Sequence, residues 1–349
     1  MAIILPAEWA PQDAVMLTWP HAGTAWRPWL AEVERVLCEI TRHIAAHEYV
    51  LIVAHDETHR AHIAALLRDS GINLNRIQLF IAPSNDTWAR DHGPLCVFEN
   101  GRPLVLDFAF NGWGNKFSAV LDNQITRTLA AQNAFNAPLR SFEFVLEGGS
   151  LESDGLGTLL TTRRCLLSPQ RNPAYSQTDI EHFLRETLGV TRILWLDAGY
   201  LAGDDTDSHI DTLARLCDEH TIAYVRCDDL EDEHYTELHA MENELHALRD
   251  AQGNPYKLVA LPWPRAHYSD EGDRLPATYA NFLIINGAVL MPTYADPNDD
   301  VARRALQACF PDREIIGVDC RAIIRQYGSL HCLTMQIPAG FCNLHKATL

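Results

Sequence analysis

Cysteine, histidine and carboxylate side chains are concentrated in four short segments of this sequence, each beside an apolar run. The segments cover residues 85–94, 147–150, 203–211 and 327–338. Reactive groups are commonly held on strand ends and loops that a rigid scaffold positions. The residue types in these segments suit a thiolate nucleophile, proton transfer by an imidazole and the binding of a cation by carboxylates.

Cys332 is the candidate nucleophile. It follows the small residues Gly328 and Ser329 and precedes an apolar run, a position that can expose a thiol at the end of a strand. Nearby cations or oriented backbone N–H groups would favour the reactive thiolate. The alternative is a buried, inert cysteine, which is the usual fate of this residue.

His209 is the candidate for proton transfer to and from the reacting groups. It lies two residues before Asp211, so both side chains would share one face of an extended strand. Neighbouring carboxylates favour the cationic form of a histidine. His331 is a poorer base for Cys332, because adjacent residues in a strand point to opposite faces. Two alternatives for residues 204–211 stay open, a hard-metal site built from aspartates and an N-cap cluster before a helix at 212–217.

The two remaining segments could bind a ligand or only shape loops. Residues 85–94 contain Asp86, Trp88, Arg90 and Asp91. The alternative is an Arg90 ion pair with Asp86 or Asp91 and a Trp88 buried in the core. In residues 147–150 a Gly-Gly pair follows Glu147, which either allows close approach of backbone to a ligand or ends a strand in a turn.

Charge and cysteine usage limit the class of protein. The formal net charge is −18, from 28 basic and 46 acidic residues among 349. This balance disfavours nucleic acid and anionic membrane surfaces as partners and suits small cations, although solubility alone could explain it. The nine cysteines are odd in number and contain no CxxC pair, which favours reduced thiols. Since no signal-peptide pattern and no membrane-length apolar run is present, we expect a cytoplasmic protein.

Hydrophobic patterning predicts a mixed α/β fold in one domain, residues 1–349. Hairpins are predicted at Asn100-Gly101 and Asn286-Gly287, and helix starts at Ser176 with Asp179 and at Asn298. No glycine-rich phosphate loop follows the first strand, which disfavours a doubly wound nucleotide-binding sheet. Predicted strands cover residues 14–19, 49–53, 77–82, 104–110, 158–162, 192–196, 222–226, 257–261 and 281–285. Predicted helices cover residues 29–47, 59–69, 119–133, 177–188, 233–249 and 299–309.

In this order, the four segments resemble the agmatine deiminase family, which also contains bacterial peptidylarginine deiminases. The resemblance spans Pro6 to Pro338 and implies an α/β propeller of five ββαβ-like units about a pseudo-fivefold axis, with the active site in the central channel. It further implies a homodimer and chemistry without a metal or an organic cofactor. The matching residues are Trp88-Ala89-Arg90-Asp91-His92-Gly93-Pro94, Glu147-Gly148-Gly149-Ser150, Asp207-Ser208-His209-Ile210-Asp211 and Leu330-His331-Cys332-Leu333-Thr334, with further matches at Arg171-Asn172-Pro173 and Asn281-Phe282.

The resemblance implies hydrolytic deimination of agmatine to N-carbamoylputrescine and ammonia through a covalent thiouronium. Cys332 would be the nucleophile and His209 the acid and base, oriented by Glu147. Asp91 and Asp211 would hold the guanidinium, Trp88 would cover the alkyl chain, Asp205 would meet the distal amine, and Arg90 would brace its loop.

The sequence departs from the family around the cysteine. Tyr327-Gly328-Ser329 replaces a triple glycine, and Met335-Gln336 replaces a double glutamine. These departures bear on the substrate tail, so a peptidylarginine substrate is the first alternative. A metal-dependent hydrolase that uses residues 204–211 and a non-catalytic guanidine or polyamine binding protein are the others.

Overall fold

Short strands and helices recur along the whole chain. The computed structural model describes residues 2–344; Met1 and residues 345–349, the ends of the predicted domain, lie outside the described residues. The strands are β1 (Ile3–Ile4), β2 (Gln12–Thr18), β3 (Tyr49–Ala54), β4 (Ile77–Ile81), β5 (Leu95–Glu99), β6 (Arg102–Ala109), β7 (Leu139–Val145), β8 (Glu152–Ser153), β9 (Thr158–Thr162), β10 (Arg192–Leu196), β11 (Ala214–Leu216), β12 (Thr221–Val225), β13 (Lys257–Leu261), β14 (His267–Tyr268), β15 (Arg274–Leu275), β16 (Leu283–Ile285), β17 (Ala288–Thr293), β18 (Glu314–Asp319) and β19 (Thr334–Pro338). The helices are α1 (Leu30–His47), α2 (Glu57–Asp69), α3 (Ala89–His92), α4 (Gly112–Asn115), α5 (Ile125–Ala131), α6 (Arg163–Leu166), α7 (Gln177–Leu188), α8 (Tyr235–Ala247) and α9 (Asp299–Cys309).

Five of the sheets share one topology. Each contains an antiparallel pair of strands and a third strand that returns, after a helix, parallel to one member of the pair. Parallel neighbours need such a crossover, whereas antiparallel neighbours can be joined by a short turn. The units are β5–β6–β7, β8–β9–β10, β11–β12–β13, β16–β17–β18 and β19–β2–β3, with β1 added to the first and β4 to the last.

The two ends of the chain meet in one sheet. Strand β19 pairs antiparallel with β2, with Thr334 opposite Leu17 and Gln336 opposite Val15. The turn that carries Cys332 immediately precedes β19. This pairing therefore anchors the turn to the N-terminal segment of the chain.

The helices bury one apolar face against their sheets. Helix α1 shows the pattern most clearly, because its apolar residues recur every three or four positions and therefore lie on one face. That face packs in the same core as the inward side chains of β2 and β3. The buried positions of α1 in this core include Val33, Leu37, Ile40 and Ile44.

Many predicted elements are confirmed, and several to the residue. Strands 158–162, 192–196 and 257–261 and helices 177–188 and 299–309 form as predicted. Both hairpins form, between β5 and β6 and between β16 and β17. At Ser176 the capping box is complete, since the Ser176 and Asp179 side chains each accept from the backbone N–H of the other residue.

Other local predictions were wrong where tertiary contacts override sequence pattern. The helix predicted at 119–133 forms only as Ile125–Ala131. Residues 212–217 form a 3-10 turn and strand β11 rather than a helix. Asn298 starts α9 but makes no side-chain cap; its amide donates to Trp263 O at 2.8 Å instead. Within residues 2–344, no helix combines the length and apolar character needed to cross a membrane.

Candidate active site

The polar residues singled out in the sequence lie on the turns that lead into the first strand of each unit. Asp91 precedes β5, Glu147 precedes β8, His209 and Asp211 precede β11, and Cys332 precedes β19. Asn281 precedes β16 and completes the set. Hydrogen bonds between side chains and backbone join these turns to one another, so five separate parts of the chain build one site.

Cys332 lies in the 3-10 turn His331–Leu333 and contacts Asn281. The Asn281 Nδ2 group lies 3.3 Å from Cys332 Sγ, and its Oδ1 accepts from the backbone N–H groups of His331 and Cys332 at 2.9 and 3.3 Å. Asn281 therefore fixes the turn and offers the sulfur a hydrogen-bond donor. Burial, then Asp211 and Asp91, raise the pKa of the Cys332 thiol well above its usual value, so the thiol form is favoured while no cation is bound.

Asp211 joins the cysteine turn to a buried ion-pair network. Its Oδ2 atom lies 3.8 Å from Cys332 Sγ and accepts from His331 Nδ1 at 2.8 Å, while His331 Nε2 lies 2.8 Å from Glu8 Oε2. Burial opposes ionisation, but the bond from His331 and its charge hold the pKa of Asp211 below its usual value. Its Oδ1 atom is buried and has no hydrogen-bond partner among the described side chains. This oxygen is therefore available to a donor from a ligand.

Both oxygens of Asp91 already accept hydrogen bonds. Oδ1 accepts from Gly149 N at 3.0 Å, and Oδ2 accepts from Trp113 Nε1 at 2.9 Å. Burial raises the pKa of Asp91, and nearby His209 counteracts that rise. These fixed donors hold the carboxylate in one orientation towards the pocket.

His209 is fully buried behind Asp91. Its Nδ1 atom lies 3.5 Å from Asp91 Oδ1. A carboxylate oxygen of Glu147 and the sulfur of Cys165 lie within 4.8 Å of a ring nitrogen of His209. Burial disfavours the imidazolium, but Asp91, Cys165 and Glu147 outweigh it and raise the pKa of His209 to about 10. The histidine therefore carries a proton at neutral pH.

Glu147 is held by an arginine. Both its oxygens accept from Arg171 Nε at 2.9 Å, and Arg171 Nη1 donates to Asp207 at 2.6 Å. Arg171 donates to both oxygens of Glu147 and is itself held by Asp207. These bonds, and not a hydrogen bond from the imidazole, set the position of the Glu147 carboxylate beside His209.

Aromatic and acidic side chains form the walls of the pocket above Cys332. Its empty volume is about 580 Å³, counted to the open mouth. Trp88 packs directly on Gly328, where a Cβ atom would come within 2.3 Å of the ring. The lining comprises Asp86, Trp88, Asp91, Trp113, Phe117, Asp204, Asp205, Thr206, Thr212, Gln326, Tyr327, Gly328 and Cys332.

The aspartates of residues 204–211 do not converge on one point. Asp204 accepts from Thr206 and Ser208 of its own loop, and Asp207 pairs with Lys116 and Arg171. The His, Cys, Asp and Glu side chains of residues 2–344 that lie close enough to share an ion are Glu147, Cys165 and His209, and the Arg171 cation already neutralises Glu147. This arrangement tells against the hard-metal alternative for the aspartates.

The structure corrects some of the local reasoning about the site. His209 and Asp211 do not lie on a strand, because Ile210–Thr212 is a 3-10 turn. His331 also lies in a turn, and it contacts Asp211 rather than Cys332 Sγ. Arg90 pairs with neither Asp86 nor Asp91; it donates to Gln336 Oε1 at 2.5 Å and so braces the strand after Cys332.

Four residues at the site had no assigned role from the sequence. Asn281 and Arg171 lie in segments that match the family, and this match was the feature of the sequence that could have marked them as site residues. Cys165 and Trp113 gave no signal, because an apolar run around a cysteine and a tryptophan between glycines are equally typical of a core or a turn.

Gly149→Ala is expected to lower kcat/KM by about 100-fold, because misplacing catalytic groups by about 1 Å has effects of that order. The new methyl group would lie 2.6 Å from His209 Nδ1 and 2.8 Å from Asp91 Oδ1. Gly149 is not in the left-handed region, so the effect is steric. Steady-state kinetics measures it. Gly71→Ala controls for loss of stability, because a methyl group there contacts nothing within 4 Å but is strained at a φ of 70°. Unchanged kinetics in Gly149→Ala would show that activity does not depend on the close approach of His209 Nδ1 to Asp91 Oδ1.

Comparison with known proteins identifies relatives over nearly the whole chain. Residues 4–338 match the family described as Porphyromonas-type peptidyl-arginine deiminase. The agmatine deiminase of Stutzerimonas stutzeri is 34% identical, with 97% of this chain and 96% of that protein covered.

Solved structures with the same overall fold are also similar to this chain. A Porphyromonas gingivalis protein with a provisional assignment as an arginine deiminase superposes with a TM-score of 0.92 at 53% identity, covering 98% of this chain and all of that one. A cysteine-to-serine variant of C. jejuni agmatine deiminase with bound substrate gives a TM-score of 0.89 at 39% identity over 96% of both chains. The shared fold is α/β. The chain belongs to the Porphyromonas-type peptidyl-arginine deiminase family.

Proposed function

We propose that this protein is an agmatine deiminase, which hydrolyses the guanidinium group of agmatine to a ureido group and ammonia. The observation that carries the proposal is the position of Cys332 in a pocket that the buried Asp91 also lines, with a second buried carboxylate, Asp211, 3.8 Å from the sulfur. A planar guanidinium is held best by carboxylates that accept paired, charge-assisted hydrogen bonds. Asp211 Oδ1 is a buried acceptor that awaits such a donor.

The first half of the reaction forms a covalent intermediate. The substrate cation offsets the negative charge of Asp91 and Asp211, which raise the pKa of the thiol. Binding therefore promotes loss of the Cys332 proton to solvent and leaves the thiolate. The sulfur attacks the central guanidinium carbon and forms a C–S bond. A C–N bond then breaks, and His209, protonated at neutral pH, gives its proton to the departing ammonia. A thiouronium remains on Cys332.

The second half returns the enzyme to its starting state. The now neutral His209 takes a proton from water, which attacks the same carbon. The tetrahedral adduct collapses, the C–S bond breaks, and the hydroxyl proton of the adduct passes to the sulfur. The neutral ureido group then leaves, and Cys332 is again a thiol. Glu147 and Asp91 stabilise the imidazolium of His209 across the cycle. In this scheme every bond change involves substrate, water, Cys332 or His209.

The pocket walls favour agmatine over a substrate with a carboxylate. Trp88, Trp113, Phe117 and Tyr327 would cover a four-carbon stem, since aromatic faces pack on alkyl chains that end in a cation. Asp204 and Asp205 line the same pocket. These acidic groups suit the distal ammonium and repel the carboxylate of free arginine.

The five strand units also support a proposal for the architecture. We infer that they are arranged as a five-bladed α/β propeller, because the site residues all precede the first strand of a unit and the turns that carry them contact one another. The chain would then be a single catalytic domain, with the site at the centre of the blades. Small-angle scattering in solution would test the compact shape and the proposed homodimer together.

Ammonia release tests the function directly. The protein is incubated with agmatine, free arginine or an arginine peptide, each with and without a chelator. We expect turnover of agmatine that the chelator does not reduce. Turnover of the peptide alone would make the protein a peptidylarginine deiminase, and ligand-induced stabilisation without turnover of any substrate would indicate a binding protein.

Asp211→Asn is expected to speed alkylation of Cys332 while it lowers turnover. After burial, Asp211 contributes most to the raised pKa of this thiol, so its removal increases the thiolate fraction. A pKa lower by one unit gives about ten times more thiolate near neutral pH, but lower intrinsic nucleophilicity reduces the net gain to roughly threefold. Mass spectrometry after iodoacetamide treatment at pH 8 measures the rate at Cys332. Asp205→Asn serves as the control, and slower alkylation in Asp211→Asn would contradict the electrostatic argument.

A further inference from the structure

Trp113 has a backbone conformation that bulky residues rarely adopt. Four consecutive residues, Gly112 to Asn115, have positive φ angles of 66°, 55°, 83° and 66°. Glycine and asparagine tolerate this region, whereas tryptophan is an outlier there. Such outliers persist where the surrounding structure determines them, and they are concentrated at functional sites.

The conformation aims the indole of Trp113 at Asp91. Its Nε1 group donates to Asp91 Oδ2 at 2.9 Å, and the side chain is 7% exposed. The ring contacts Phe110 and Phe117 edge-on, at centroid distances of 5.1 and 5.6 Å. The donor is therefore held rigidly and cannot follow the carboxylate if it moves.

Steric and polar contacts lock the turn itself. A Cβ atom on Gly112 would lie 2.3 Å from Phe117 O, and one on Gly114 would lie 2.8 Å from the Gln170 side chain. Asn111 Oδ1 accepts from Gly114 N at 2.8 Å. The two glycines therefore fit a space that no other residue could occupy unchanged.

The same loop contacts the other end of the pocket. Lys116 Nζ donates to Asp205 O at 2.6 Å and to Asp207 Oδ1 at 2.7 Å. Residues 111–117 thus connect Asp91, at the guanidinium end, with the acidic loop at the mouth. A change in the conformation of the turn would therefore alter contacts at both ends of the pocket.

We propose that Trp113 is a positioning residue, whose indole N–H fixes the Asp91 carboxylate for binding the substrate guanidinium. Asp91 receives one donor from backbone, Gly149 N, and one from a side chain, Trp113. The side-chain donor is the one that mutation can remove without a change in the chain path at the site. This inference rests on the proposed role of Asp91 in the deimination.

Trp113→Phe is the first test, because it keeps an aromatic ring and removes the donor. We expect kcat/KM for agmatine to fall by roughly 10- to 100-fold, the range for loss of a buried hydrogen bond to a charged group. The donor favours the charged form of Asp91, so its loss raises the pKa of Asp91 and moves the acid limb of the kcat/KM profile to higher pH. A role in packing alone would lower stability without moving that limb.

Trp19→Phe is the matched control. The Trp19 indole is also buried and donates to a carboxylate, Glu34, at 3.2 Å, but it does not line the pocket. Its loss should lower the melting temperature and leave the pH profile in place. If Trp113→Phe does not fold, benzothienylalanine at position 113 keeps the two-ring shape and replaces only the N–H group by sulfur.

Asp91→Ala, measured in parallel, separates the two claims. An active Asp91→Ala enzyme would overturn the role of Asp91 and with it the proposed mechanism. An inactive Asp91→Ala enzyme, together with unchanged kcat/KM and an unmoved acid limb in Trp113→Phe, would overturn the role of Trp113 alone.

Discussion

Replacing Cys332 by alanine is expected to abolish ammonia release from agmatine, with a fall in kcat on the order of 10⁴-fold or more, as for other covalent nucleophiles. The expected loss is this large because no other described cysteine lines the pocket. The other eight are buried, and Cys165, which lies beside His209, does not line the pocket. Single-turnover measurements with labelled agmatine should also show that no label becomes bound to the protein.

A matched cysteine variant separates chemistry from stability. Cys38 is buried in helix α1 with 6% exposure and lies outside the pocket. Cys38→Ala should lower the melting temperature modestly and leave kcat close to that of the wild type. Turnover that persists in Cys332→Ala would refute the covalent mechanism, whatever its effect on stability.

Replacing His209 by asparagine is expected to lower kcat by about 10²- to 10⁴-fold, the usual contribution of general acid–base catalysis. His209 both protonates the departing ammonia and activates water, so its loss slows both halves of the reaction. The pKa of about 10 also predicts the pH dependence. The protonated histidine is needed for the first half, so activity should fall as the pH rises towards 10 in the wild type.

The His209 prediction can be checked by its pH profile and by a second histidine. His234 is 1% exposed and its Nδ1 atom lies 2.7 Å from Asp232 Oδ1, yet it does not line the pocket. His234→Asn should retain an alkaline limb near that of the wild type, whereas His209→Asn should lack it. An unchanged alkaline limb in His209→Asn would assign that limb to another group and refute this role.

The residues that meet at the site were accessible from the sequence because reactive residue types cluster in short motifs, whereas the reaction itself was implied by the family resemblance. Residues 85–94, 147–150, 203–211 and 327–338 contain Asp91, Glu147, His209, Asp211 and Cys332, and all five lie at the site. The amphipathic helices and the buried strands were also predictable, because hydrophobic periodicity is a local property of the chain. Helix 177–188 illustrates this, since it starts at the capping box of Ser176 and Asp179 and ends at Gly189, all within or next to the helix.

Local reasoning failed where the backbone conformation depends on distant contacts. The shared face argued for His209 and Asp211 presupposes an extended strand, whereas Ile210–Thr212 forms a 3-10 turn in which Asp211 accepts from His331, 120 residues away. His331 was judged by its orientation relative to Cys332 in a strand, but the 3-10 turn directs it to Asp211 and Glu8. In each case, partners far along the chain stabilise a conformation that the local sequence does not favour.

The sequence by itself determined which reactive groups this protein has, their order, and the helices and strands that carry them. Only the tertiary structure decided that Asp211 Oδ1 is left without a partner, that Arg171 holds Glu147 beside His209, and that Trp113 fixes Asp91. The physical reason is distance along the chain. Propensity and periodicity act over a few residues, whereas hydrogen bonds at the site join residues 50 to 241 positions apart, whose alignment depends on the packing of the five strand units.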